Sequence, residues 1–157
     1  MDTRTVFLRP AQTSDAAFLI ELRKLTMSEH LDRVGEPTDD VSHAQRVYDR
    51  FEDAKIICDC VDEERIGLLK YYRTPTEWTL VQVQILPKYQ RQGLGEHVIR
   101  IVLDEARKSQ LPVKLGVLKG NPAQRLYERL GFRAVSETDR ELNMVFHGPG
   151  NIGSPYG

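Results

Sequence analysis

Apolar residues recur along the chain in two rhythms, every second position in some stretches and every third or fourth in others, which separates strands from helices before any chemistry is considered. Thr5-Val6-Phe7-Leu8-Arg9 alternates as a strand and is closed by Pro10. Thr13 or Ser14 can then cap a helix that carries Phe18, Leu19, Leu22 and Leu25 on one face. From Thr26 to Thr38 the rhythm loosens. Gly35, Pro37 and Asp39-Asp40 signal a turn there, and Ala44, Val47, Tyr48 and Phe51 mark a short second helix.

Two strand patterns, Lys55 to Val61 and Ile66 to Arg73, flank the acidic turn Asp62-Glu63-Glu64-Arg65 and read as a hairpin. In Trp78 to Leu86, Val81, Val83 and Ile85 alternate with Gln82 and Gln84 until Pro87 ends the run, which predicts a central strand. Leu94, Val98, Ile101, Val102 and Ala106 fall at helical spacing, so a helix runs from near Gly93 to about Ser109 with its apolar stripe on the sheet. Pro112 to Leu118 predicts a strand, Pro122 to Leu130 a helix, and Phe132 to Ser136 and Arg140 to His147 two final strands. The predicted order is β-α-α-β-β-β-α-β-α-β-β. Neither a repeat nor a linker interrupts it, so residues 1–147 are expected to form one domain. Residues 148–157 are mostly Gly, Pro and small polar residues and read as a flexible tail.

A length of 157 residues suits one domain with a single site. Charged residues make up 29% of the chain, yet the net charge is only -1 and Lys and Arg are scattered, so no nucleic-acid partner is expected. No apolar run approaches the length of a membrane span, and Met1 to Arg4 leads straight into a strand pattern, which makes the cytoplasm the simplest location. Cys58 and Cys60 are two apart on one strand and are expected on the same face as free thiols. No His stands at zinc-ligand spacing from them, so no metal is expected.

Two segments carry chemistry. Gln90-Arg91-Gln92-Gly93-Leu94-Gly95 places two glycines where a loop turns into a helix, just after a strong strand. The first N–H groups of a helix lack intrahelical partners and sit at the positive end of its dipole, so such a loop suits a pyrophosphate. Lys88, Arg91, Gln90 and Gln92 can add side-chain donors, Arg91 being the one full charge within the loop. Val98 stands where a dinucleotide fingerprint needs its third glycine, which disfavours a dehydrogenase. The second segment, Asn121 to Phe132, is a punctuated short helix: Asn121 as cap, Pro122 at the first position, Gln124 for a capping box, Gly131 as terminator. Ala123, Leu126, Tyr127 and Leu130 share one helical face, so packing alone can account for Tyr127.

Taken together, the two segments resemble the GNAT superfamily of acyl-CoA-dependent N-acetyltransferases. Gln90, Gly93 and Gly95 match that family's Gln/Arg-x-x-Gly-x-Gly/Ala motif. Ala123, Leu126, Tyr127, Gly131 and Phe132 match its Ala-x-x-Leu-Tyr-x-x-x-Gly-Phe pattern, with Asn121 upstream. The resemblance covers Val6 to Phe146. It implies an α/β (α+β) fold: a mixed, mostly antiparallel central sheet of six to seven strands with a splayed central strand pair, flanked by about four helices. It further implies acetyl-CoA as acyl donor, its pantetheine arm along Val83, Gln84 and Ile85, its pyrophosphate on the amides of Gln90, Arg91, Gln92, Gly93, Leu94 and Gly95, and its thioester beside Asn121 and Tyr127. Tyr127 would be the catalytic acid. The acceptor would be a primary amine bound largely by Thr26 to Phe51, and homodimers are common among relatives.

An amine with a pKa near about 10.4 must lose a proton before it attacks a thioester at pH 7. Many relatives carry a carboxylate on the central strand, whereas this chain has Gln82 and Gln84, leaving Glu77, Glu29, His30 and His147 as candidate bases, none of them assigned. The missing carboxylate motivates a second reading, a CoA-binding sensor or interaction module without turnover. Asp32, Glu36, Asp39 and Asp40 suit a cationic acceptor but equally a mixed-charge surface.

Overall fold

The computed structural model describes residues 4–148. Seven strands are hydrogen-bonded in the order β1-β2-β3-β4-β5-β7-β6: β1 (Val6–Pro10), β2 (Ala54–Asp59), β3 (Arg65–Arg73), β4 (Trp78–Ile85), β5 (Val113–Leu118), β6 (Arg133–Glu137) and β7 (Glu141–Phe146). Four helices accompany them: α1 (Ala16–Arg33), α2 (Asp40–Tyr48), α3 (Leu94–Ser109) and α4 (Ala123–Leu130). Within this mostly antiparallel sheet, β4 and β5 run parallel. The expected fold class and element order are therefore observed.

Packing divides the chain into two compact units, Met1–Lys70 with Gln82–Gly95 and Tyr71–Val81 with Glu96–Gly157. The core of the first joins Leu19 and Leu22 of α1, Val47 of α2, Ala54, Ile56 and Cys58 of β2, and Leu68 of β3. Burial of seven such side chains, at roughly 1.5–3 kcal/mol for each large one, is what holds α1 and α2 on these strands. Its entry is fixed by Asp15, whose carboxylate accepts from Arg9 at 2.8 and 3.0 Å, from Arg65 at 3.1 Å and from the Gln12 amide at 2.8 Å.

In the second unit, α3 buries Val98, Ile99, Val102, Leu103 and Ala106, and β5 buries Val113, Leu115 and Val117. Phe132 links the rings of Tyr127 and Phe146, with centroids 5.7 and 5.6 Å away. β4 pairs with β5 through Trp78, Thr79 and Leu80.

Four local expectations differ. Helix α1 continues through the stretch read as loose and ends at Arg33, where Gly35 turns the chain with φ +79°. Leu25 is 55% exposed, because the buried face of α1 centres on Leu19 and Leu22, and Phe51 lies in a 3-10 turn after α2. Cys58 is buried and Cys60 exposed: β2 ends at Asp59, with an irregular register at Ile57/Cys58 that breaks the alternation. The tail from residue 149 onward lies outside the described residues.

Candidate active site

The glycine loop belongs to the first unit. β4 ends at Ile85, where Val83 is half-buried and Gln84 and Ile85 are buried. A 3-10 turn, Pro87–Tyr89, carries the chain into the loop. Tyr89 anchors that turn by donating its hydroxyl to Glu64 Oε1 at 3.0 Å, and Lys88 Nζ donates to the same oxygen at 3.4 Å. Gln90 Nε2 donates to the Ile85 carbonyl at 2.9 Å, so this side chain ties the loop back to β4. Gln92 Oε1 accepts from Arg4 Nε at 3.3 Å. Of the expected donors, Lys88 and Gln90 thus donate to protein partners already, whereas Gln92 is engaged through its acceptor oxygen.

The loop backbone is unusual. Arg91 and Gly93 are both left-handed, with φ of +65° and +78°. A Cβ on Gly93 would meet nothing within 4 Å, so the backbone angle, and not crowding, calls for glycine. For Arg91 the same angle costs roughly 1–2 kcal/mol, strain of the kind that collects at ligand sites. Arg91, Gln92 and Gly93 are exposed, while buried Leu94 starts α3 and fixes the direction of its free N–H groups. An exposed turn of amides with one arginine fits a pyrophosphate in charge and geometry.

Asn121 and Tyr127 lie in the second unit. Asn121 Oδ1 accepts from the Ala123 amide at 2.9 Å and so caps α4, as expected. Gln124 does not complete a capping box, because its Nε2 donates to Glu128 Oε2 at 3.2 Å. Gly131 ends the helix with φ +109°, and Phe132 N donates to Tyr127 O at 2.9 Å. Tyr127 keeps part of its surface exposed, yet burial pushes its pKa up to about 12. The group is a neutral donor across the physiological range.

The base candidates separate by partner. Glu77 Oε2 receives Lys114 Nζ at 2.7 Å. His30 Nδ1 accepts from Arg33 at 2.8 Å, and burial, then the Arg33 charge, lowers its pKa. Glu29 and His147 are exposed. On β4, Gln82 and Gln84 are buried, and both polar atoms of Gln82 and Oε1 of Gln84 lack partners among the described residues. Sequence reasoning missed the Tyr89–Glu64 anchor and the left-handed Arg91, since neither leaves a mark on local spacing. A tyrosine just before the loop facing an acidic hairpin was the available hint.

A mostly antiparallel seven-stranded sheet with a glycine turn opening the helix after β4 is the architecture of an acetyltransferase. The profile of the Acetyltransferase (GNAT) family matches residues 19–132, and the chain belongs to that family. Comparison with curated proteins gives no match. Among solved structures, the PaiA N-acetyltransferase of Thermoplasma acidophilum in complex with coenzyme A is similar, with TM-score 0.73 and 15% identity over 91% of this chain and 99% of that one. An acetyltransferase of Thermus thermophilus gives 0.72 and 20% over 94% and 99%, and the ribosomal-protein-S18-alanine N-acetyltransferase of Escherichia coli 0.68 and 21% over 91% and 94%.

Proposed function

We propose that this protein is an N-acetyltransferase that moves the acetyl group of acetyl-CoA to a primary amine of a small molecule or of a peptide or protein, by direct attack in a ternary complex. The observation that carries the reading is the left-handed Arg91–Gly93 turn, which presents backbone N–H groups at the start of α3 beside the exposed Arg91 side chain. These groups bind the pyrophosphate, and the strand backbone from Val83 to Ile85 holds the pantetheine. Among the described residues no helix is long and apolar enough to cross a membrane, and we place the reaction in the cytoplasm.

In the reaction the amine nitrogen attacks the thioester carbonyl, the C–S bond breaks and the amine gives up a proton. Tyr127 donates to the departing sulfur. A phenol at about 12 is a weaker acid than a thiol of about 8.5, so outright transfer is uphill by roughly 5 kcal/mol. The hydroxyl therefore stabilises the sulfur chiefly through a hydrogen bond, while water carries away the amine proton. Buried Gln82 and Gln84, where a carboxylate base would be useful, favour a second reading, a CoA-binding module without turnover. Calorimetry with CoA and acetyl-CoA, followed by thiol release over an amine panel, separates the two: binding with turnover supports the enzyme, binding without turnover the module, and no binding rejects both.

A further inference from the structure

Residues 91–93 of the glycine loop are exposed, and Arg91 and Gly93 are left-handed, so packing does little to hold this turn in shape. Backbone strain of this kind persists only where the surroundings fix the chain from several sides. Gln90, tied to the Ile85 carbonyl, fixes one side, and buried Leu94 fixes the other. Between them a third tie comes from far away in sequence: Arg4 Nε donates to Gln92 Oε1 at 3.3 Å, across 88 positions and within the first unit. Arginine only donates, so the contact sets the Gln92 amide with its oxygen toward Arg4.

Arg4 is itself held. Cys60 N donates to Thr5 O at 2.9 Å, which lays the chain beside the end of β2. Arg4 Nη1 pairs with Asp59 Oδ2, and Asp59, 2% exposed, also accepts from the Val61 amide at 2.7 Å. Hydrogen bonds from Val61 and then from Arg4 hold the Asp59 carboxyl below its ordinary range, so the pair is charged at neutral pH. The guanidinium carbon lies 4.8 Å from the centroid of the Tyr89 ring, which Glu64 anchors through the hydroxyl. Arg4 therefore joins the end of β2, the turn before the loop and the loop itself. A planar fork with Nε on one partner and Nη1 on another is a geometry that lysine does not reproduce.

We propose that Arg4 is a positioning residue of the donor site: through Gln92 it clamps the 91–93 turn in the shape that offers its amides to the pyrophosphate of acetyl-CoA. The clamp rests on the acetyltransferase reading only for the identity of the anion.

Coupling across the Arg4–Gln92 contact tests it, by calorimetry with CoA and by NMR relaxation of backbone amides in the CoA-free full chain. Arg4→Met and Gln92→Met should each raise Kd for CoA about fivefold, the worth of one hydrogen bond, and the double variant should lose no more than either single one. Arg4→Lys keeps the charge beside Asp59 and should hold Tm within about 1 °C of wild type, yet weaken CoA as much as Arg4→Met. In turnover, KM for acetyl-CoA should rise by the same factor in Arg4→Met, with kcat within about twofold of wild type. In the free chain, order parameters of Gln92 and Gly93 should fall from about 0.85 to below about 0.6 in both Met variants. Unchanged Kd in Arg4→Met, additive losses in the double variant, wild-type affinity in Arg4→Lys or unaltered loop order would each overturn the clamp. A wild-type chain whose loop order depends on Arg4 but which binds no CoA would leave the clamp standing and overturn the acetyltransferase reading.

Discussion

Arg91 is held left-handed where glycine would rest more easily, and the strain has a purpose only if its charge is wanted there. Arg91→Gly should therefore leave stability unchanged or raise it by up to about 1 kcal/mol, while weakening CoA about tenfold through loss of a charge-assisted bond. Urea unfolding with calorimetry measures both, and unchanged CoA affinity would reduce Arg91 to a turn residue. Tyr127→Phe should lower kcat about 10–100-fold with less than about a threefold change in KM for acetyl-CoA. Since Tyr127 titrates near about 12, its proton stays in place through pH 10, and any falling limb of kcat below that pH should persist in the Phe variant. Asp15, held down to about 2 first by Arg9, contributes stability that is fully present above its ordinary value of 3.8 and lost as pH falls through about 2. The drop corresponds to about 2 kcal/mol at most, and less after allowance for the partly exposed arginines. Tm of Asp15→Asn should accordingly sit below wild type at pH 6 and converge on it near pH 2.

Elements were legible where burial imposes a clean rhythm. The strands β3, β4 and β5 and helix α3 stand close to their expected limits because burial gives each a strong pattern, although β3 is buried on both faces, β4 buries Leu80, Gln82 and Gln84 while Val81 and Val83 stay half-buried, and α3 buries Ile99 and Leu103 in preference to Ile101. The second half of α1 was not legible: Glu29, Asp32 and Arg33 are polar, and only Leu31 is buried there, so tertiary packing extends the helix against a weak local signal. At the site, the glycines announced the turn, but the Gln90 tether to Ile85 and the Arg91 conformation depend on the path of the chain after β4 and have no spacing of their own. Gly67 shows the same limit. A Cβ there would overlap the Gln84 carbonyl of β4, so glycine sets the close approach of β3 to the very stretch assigned to pantetheine. Gly67→Ala should cost about 2 kcal/mol or more, read as a lower urea midpoint, and should weaken CoA as well. A midpoint equal to wild type would show that β4 is free to shift.

At the scale of the molecule, the family pattern carried more than either motif alone. The loop suggested an anion site, and its occurrence with the Asn121–Phe132 helix pointed to a CoA enzyme; the GNAT family match then agreed with that fold. The acceptor was less legible, because acidic residues near α2 drew attention to cations. Asp39 and Asp40 are occupied in a cap and an ion pair, which fits a mixed-charge surface better than a cation site. The most direct test of the central claim is thiol release from acetyl-CoA across a panel of primary amines. The account predicts amine-dependent release that falls at least tenfold in Tyr127→Phe. Release that no amine accelerates, in a protein that still binds CoA, would contradict it.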